Sequence, residues 1–299
     1  MAAESSPRPF YYGGQALIEG VMIRGRTHYA VAVRRPDGTI FVQTWPLDPF
    51  IVKSRLARLP FIRGIFVLYD TLYLGIRALS FSAAVAAGEQ AEVAAAVVWP
   101  VLIASLALAL AAFFMGPALL AHWLGALLPD PVLVNLAEGI LRLGLLIGYV
   151  AAIGRLPEIR RVFAYHGAEH QAVHAFEAGV SLQPELAGRF PTAHPRCGTA
   201  FLLTVMVVAV FVFAWLGDPP LLLRLLSRVV LVPVIAAVAY EVIRFGAAHL
   251  SNPVVRLLVV NPGLWLQRLT TRPPKPDQVE VALAALKAAL RADGVPDRV

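Results

Sequence analysis

Three of the seven histidines in this chain fall within nine residues, in the run Tyr165-His166-Gly167-Ala168-Glu169-His170-Gln171-Ala172-Val173-His174-Ala175-Phe176-Glu177. An α-helix turns about 100° per residue, so residues four apart drift only about 40° around the axis. His166, His170 and His174 therefore share one helical face, with Glu169 and Glu177 on the same side. His166-Gly167-Ala168-Glu169-His170 matches the H-x-x-E-H pattern, in which the two histidines ligate zinc and the intervening glutamate polarises the attacking water. The spacing has a physical reason: one turn brings two imidazole nitrogens close enough to share a tetrahedral ion, with the carboxylate beside the open position. Glu169 is thus the candidate general base, and His166, His170 and His174 are candidate ligands of a divalent metal, zinc first. The competing structural reading has the same histidines hydrogen-bonded in a polar helix beside a membrane.

Further ligands must come from elsewhere in the chain. His194-Pro195-Arg196-Cys197-Gly198 offers an imidazole and a thiol just ahead of an apolar run. Its bland alternative is a proline-containing turn whose Cys197 simply begins a helix. Glu241 ends another apolar run, where a carboxylate needs a partner; it is either a ligand or the mate of Arg244 at i+3. Glu19, between glycine-rich turns, is a weaker candidate, and His28, His122 and His249 read as surface or interfacial residues. Cys197 is the single cysteine, which excludes an intrachain disulfide.

The elements that must carry these residues are mostly apolar. Of the 299 residues 58% are hydrophobic, and the mean hydropathy of +0.69 lies well above that of soluble globular chains. Val93 to Met115 is free of charge over a length that exceeds the roughly 20 residues needed to cross a bilayer core. Ala200 to Gly217 is a second such run. Pro131 to Ile153 is a third, with Glu138 and Arg142 placed to pair along the helix, and Val229 to Ala248 is a fourth, interrupted by Pro233. The expected class is a mainly α polytopic membrane protein of about four transmembrane helices, with a small N-terminal β-hairpin element and cytoplasmic amphipathic helices. No cleavable signal peptide is visible at the start.

The expected organisation runs from a cytoplasmic β-rich element (1–60) through an amphipathic interfacial helix (61–92) to a transmembrane hairpin (93–153). A cytoplasmic His-rich segment (154–199), a second transmembrane hairpin (200–250) and a cytoplasmic segment with an amphipathic helix (251–299) complete it. Thr27 to Arg34 and Thr39 to Trp45 alternate as strands do, around the turn signal Pro36-Asp37-Gly38. The glycines of Gly13-Gly14-Gln15-Ala16-Leu17-Ile18-Glu19-Gly20 match no phosphate-binding fingerprint and are read as sites of close backbone packing. Helical periodicity returns from about Asp277 to Ala292.

Basic residues set the expected sidedness. The three non-apolar stretches 1–92, 154–199 and 244–299 hold almost all the arginine and lysine, and the connection Gly116 to Asp130 holds none. The positive-inside rule puts those stretches, and both termini, in the cytoplasm of a bacterial inner membrane. Arg224 and Arg228 fall near the other side and must pair within the bundle or snorkel. The net charge of +7 reads as topology and contact with anionic lipid; no basic tract interleaved with aromatics points to nucleic acid.

The chain resembles the YqhQ-like family of bacterial membrane proteins. The resemblance covers nearly the whole length and rests on Gly13 to Gly25, Tyr165 to His170, His194 to Thr199 and Pro262-Gly263-Leu264-Trp265-Leu266-Gln267-Arg268-Leu269-Thr270-Thr271. Gln171 departs from it, where lysine is expected. The resemblance implies an integral membrane protein with a metal site and names no substrate. The function expected from the residues is a metal-dependent hydrolase at the cytoplasmic membrane face, with His166 and His170 holding Zn²⁺, Glu169 as base, and His194, Cys197 or Glu241 completing the shell. Peptide and lipid-linked substrates both suit that location. The alternative is a non-catalytic scaffold or assembly partner with a structural metal or histidine cluster. A transporter lined by Glu138, Arg142 and Glu241 ranks third, because no internal repeat supports it.

Overall fold

The computed structural model describes residues 10–47, 59–88, 95–125, 130–217 and 219–296. Residues 1–9, on which the expectation about a signal peptide falls, lie outside these, as do 48–58 and 89–94 within the expected β-rich and interfacial segments. The chain begins with an antiparallel meander of β1 (Gly13–Leu17), β2 (Gly20–Arg24), β3 (His28–Arg34) and β4 (Ile40–Pro46). The expected hairpin is β3–β4, registered from Arg34↔Ile40 to His28↔Pro46. Its turn is closed by Asp37, whose Oδ1 accepts from the Thr39 amide at 2.9 Å and hydroxyl at 2.7 Å, with Gly38 at φ 85°.

The glycine-rich run ahead of it is two further strands, which the hairpin reading did not include. Glycine normally weakens a strand, so this run lacks the signature of one. Here the backbones approach too closely for side chains: a Cβ on Gly14 would lie 1.9 Å from the Met22 carbonyl oxygen, and one on Gly20 2.5 Å from that of Ala32.

The helices follow as α1 (Ile62–Ala86), α2 (Ala95–Leu110), a π-turn Ala111–Met115, α3 (Gly116–Leu124), α4 (Pro131–Ile153) and α5 (Pro157–Glu177). After the single turn Pro184–Ala187 come α6 (Thr199–Ala214), α7 (Leu221–Val230) and α8 (Val232–Ala248). The turns Pro253–Val255 and Arg256–Val260 lead to α9 (Asn261–Thr270) and α10 (Pro276–Ala292). The four apolar runs are thus mainly helical over their described residues. Ile62–Ala86, Trp99–Trp123 and Pro131–Ile153 are long and apolar enough to cross a membrane, and α7 with α8, bent by 45°, make a fourth candidate; α6 is apolar but shorter.

Strands β2 and β3 are buried on both faces, which explains their near-continuous apolar sequence. Met22, Val31 and Val33 pack on Leu74, Ala78 and Phe81 of α1. Val21, Ile23, Ala30 and Ala32 pack against α5 and α10 on the opposite face. The alanines of α5 (Ala168, Ala172, Ala175) let α10 approach closely through Ala282, Ala285 and Ala289. A separate apolar core joins Phe114, Leu146, Met206, Phe213 and Ile235 from α4, α6, α8 and the π-turn. Arg224 and Arg228 pair inside this bundle with Glu138, which also binds Arg142.

Asp293, just past α10, locks that helix to the β2–β3 turn. Its carboxylate accepts from the Arg26 amide (2.6 Å), the Thr27 amide and hydroxyl (3.0 and 2.7 Å) and the Tyr12 hydroxyl (3.1 Å). Burial works to raise its pKa, but these donors together hold it below the ordinary carboxylate range. A lowered folded pKa gives stability that is present above the unfolded value of about 4 and lost as pH falls through the folded one. Asp293→Ala is expected to cost about 1–2 kcal/mol at pH 7, discounted for partial exposure. In a thermal-melt series that difference should shrink as the pH falls below the unfolded value of about 4.

Candidate metal centre

The histidine segment is helical because Pro157 starts α5 at its first turn, Glu158 faces the N-terminal dipole, and nothing interrupts it before Gly179 at φ 68°. Gly179 and Val180 then donate to Phe176 and Ala175, closing the C-terminus. Gly167, inside the H-x-x-E-H motif, leaves no room for a side chain: its Cβ would lie 2.4 Å from the Arg272 carbonyl oxygen. That close passage lets the end of α9 reach the first histidine.

His166 Nδ1 lies 2.8 Å from the Thr270 carbonyl oxygen, and His170 Nδ1 lies 2.6 Å from that of Thr192. A carbonyl only accepts, so each Nδ1 carries the proton and each Nε2 presents a lone pair. The two rings are 4.4 Å apart between centroids. Cys197 Sγ sits 3.2 Å from His166 Nε2, so His166, His170 and Cys197 offer three donor atoms within 4.8 Å of one another. The Thr199 amide also donates to that sulfur at 3.3 Å, from the first turn of α6. Backbone carbonyls that fix imidazole tautomers are the usual outer shell of metal-ligating histidines.

Glu169 stands beside this group. Its Oε1 accepts from the Gly14 amide at 2.9 Å and its Oε2 is 3.4 Å from His170 Nε2. The edge strand β1 therefore aims the carboxylate, a role for the glycine-rich run that the sequence did not disclose.

The expected donors do not form one set. His174 and His194 assemble with Glu177 into a second group, their rings 4.5 Å apart, and the two groups meet where His170 and His194 are 5.7 Å apart. This second group is tied up by internal bonds. His174 Nε2 donates to the Ala193 carbonyl at 2.9 Å, His194 Nε2 faces Glu177 Oε2 at 3.4 Å, and Arg196 pairs with the other Glu177 oxygen. Burial, and then the neighbouring imidazoles against the help of the Ala193 bond, lowers the His174 pKa and keeps it neutral. Burial would raise Glu177, but bonds from His194 and Arg196 leave it below the usual range.

Glu241 belongs to neither group. It pairs with Arg63 of α1 and accepts from the Phe61 amide at 3.1 Å, so its partner is not Arg244 and it takes no part in the centre. The reason is tertiary: α1 packs on α8 at Gly64, a contact no local spacing reveals. Glu19 is likewise held elsewhere, by Arg161. Sequence reasoning gave no role to Gln267, which is fully buried. Its amide accepts from the His194 amide at 2.8 Å and donates to the His194 carbonyl at 2.9 Å, clamping the 192–197 segment over α5.

These features define a mainly helical protein with apolar helices and a His₂Cys donor group beneath a small sheet. Residues 59–292 match the family described as "Protein of unknown function (DUF1385)", and the chain belongs to that family. It is 32% identical over 307 residues to "Uncharacterized protein YqhQ" of Bacillus subtilis (strain 168), covering 97% of this chain and 95% of that protein. No solved structure matches.

Proposed function

We propose that the protein is a metal-dependent hydrolase set in the cytoplasmic face of a bacterial membrane. The observation that carries this reading is the convergence of one donor atom each from His166, His170 and Cys197, with both Nδ1 atoms committed to backbone carbonyls. Three protein donors with a carboxylate alongside suit a catalytic zinc site, whereas a structural site is closed by four ligands. An ion held there supplies a Lewis acid and lowers the pKa of its water from about 15.7 towards 7. Glu169, anchored through Oε1, turns Oε2 to the donor group, 3.4 Å from His170 Nε2, where it would accept the water proton and pass it to the leaving group.

The membrane setting is supported by connectivity as well as composition. Gly14 before α1 bonds to Glu169 after α4, so an even number of crossings separates them. With α2–α3 and α4 as two crossings, α1 does not cross, although its length and apolarity would allow it. The part of α1 from Asp70 onward lies on the sheet, tied by Arg24–Asp70 at 2.7 Å, and the remainder is too short to span. It lies at the interface, with Ile65, Tyr69 and Leu72 turned outward. Leu108, Ile140, Leu222 and Val230 on the other helices are more than half exposed, which suits contact with lipid.

The alternative, a scaffold with a structural metal, draws on the internally bonded His174–Glu177–His194 group. Chelation and Glu169→Gln separate the two. Glu169→Gln retains an oxygen for the Gly14 amide, so it should keep its fold and its metal while metal-dependent cleavage of p-nitrophenyl ester and phosphate probes falls about 10²-fold or more. A protein that unfolds when its metal is chelated, and that cleaves no probe when loaded, would instead be the scaffold.

A further inference from the structure

A cavity of about 250 Å³ adjoins the centre on the side of α1 and α8. Val67 and Leu68 of α1 form one wall, Tyr240 and Ile243 of α8 another, and Phe201 of α6 the floor. Its polar edge is Arg196 and Cys197, so the residue that completes the donor group also lines the cavity. Val67 is itself 40% exposed, which places an opening between α1 and α8 on the apolar exterior. The cavity is framed by a firm contact rather than a loose gap. A Cβ on Gly64 would stand 3.0 Å from the Tyr240 Cβ, and the neighbouring Arg63–Glu241 pair ties the same two helices.

We propose that this cavity holds the aliphatic chain of an anionic membrane amphiphile, a lipid phosphate or carboxylate, with its head group against Arg196 and the donor group. The inference names a substrate class and rests on the hydrolase reading for that role. The walls are side chains of helices whose backbone groups are already paired, so an extended peptide would find nothing to bond its main chain. An aliphatic chain needs no such partners. The volume suits one chain rather than a whole diacyl lipid. A chain seated here meets Cys197 and Arg196 at its polar end, and Arg196, stacked 4.1 Å over Tyr11, binds Glu177 through Nη2 and keeps its remaining N–H groups for an anionic head group.

Gly198 provides the probe. It lines the cavity at φ −62°, and a Cβ there meets nothing within 4 Å, so Gly198→Leu fills the space without backbone strain. Full-length protein in zwitterionic nanodiscs would be irradiated with dodecyl phosphate carrying a terminal diazirine, and the adducts mapped by mass spectrometry. The expected adducts lie between residues 64 and 71 and between 240 and 243. They should fall about tenfold in Gly198→Leu and under competition by decyl phosphate but not decanol. Labelling should survive in His166→Ala/His170→Ala, and metal analysis of the same samples reports separately on the hydrolase reading. Adducts spread over the outer faces of α2, α4 and α7 in the wild type overturn the proposal even if Gly198→Leu does not fold. Competition by an apolar peptide in place of decyl phosphate overturns it in favour of a peptide substrate.

Discussion

Purified His166→Ala/His170→Ala protein is expected to carry no divalent metal above background, against about one tightly held ion per chain in the wild type. Both lone pairs are removed, and the Thr270 and Thr192 carbonyls lose their imidazole donors as well, so a thermal melt of the same sample is read beside the metal content to separate lost ligation from misfolding. Cys197→Ser should give an intermediate result, with cobalt-loaded protein losing its thiolate charge-transfer band and keeping a weaker site. His174→Ala should leave metal content unchanged, because His174 belongs to the group that closes on Glu177 and the Ala193 carbonyl. Elemental analysis after extensive dialysis distinguishes these cases. Equal metal in the wild type and the double variant would leave the centre a hydrogen-bonded cap and remove the hydrolase reading.

Glu138→Gln is expected to be the most destabilising single substitution in the bundle. Glu138 is 1% exposed and its two oxygens are bound by Arg142 and by Arg228 through contacts of 2.9 and 2.6 Å, with an Arg224 nitrogen at 3.7 Å. Neutralising it leaves three arginines, all of them buried, facing one another among apolar helices. Removing one partner of a buried ion pair costs about 3–5 kcal/mol, because the remaining charge stays desolvated. The melting temperature of the solubilised protein should drop by on the order of 10 °C. A change within about 2 °C would mean that water already reaches the cluster. The π-turn belongs to the same device: the Phe113 carbonyl accepts from Arg142 Nε at 2.9 Å, and Arg142 and Arg228 also stack on Phe213. Pairing inside the bundle, and not snorkelling, is how Arg224 and Arg228 are accommodated.

Much of this was legible from local pattern. The one-turn spacing of His166 and His170 puts their rings side by side wherever that helix packs, and the thiol-bearing segment before α6 was a natural source of the third donor. The apolar runs are helices because a chain so poor in polar groups must satisfy its backbone internally. The amphipathic stretch near the C-terminus is α10, and the alternation from Thr27 to Trp45 is β3–β4.

Other features had no local signal. Gly14 and Gly20 look like chain breakers until the strands they join are laid 2–3 Å from where a side chain would stand. Glu241 could be paired on paper only with Arg244, since the helix bearing Arg63 is 178 residues away along the chain. His194 and Cys197, three residues apart, were interchangeable as ligands until the Gln267 clamp turned one towards Glu177 and the other towards His166.

The sequence by itself therefore determined which residue types could grip an ion and that they sit among helices apolar enough for a bilayer. Periodicity and composition act within a few residues and survive any packing. Which of those residues converge, which are spent on internal bonds, and that Gly14 of an edge strand aims Glu169 were decided only by tertiary structure. Those choices depend on contacts between segments 17 to 155 residues apart in the chain, and sequence spacing carries no information about them.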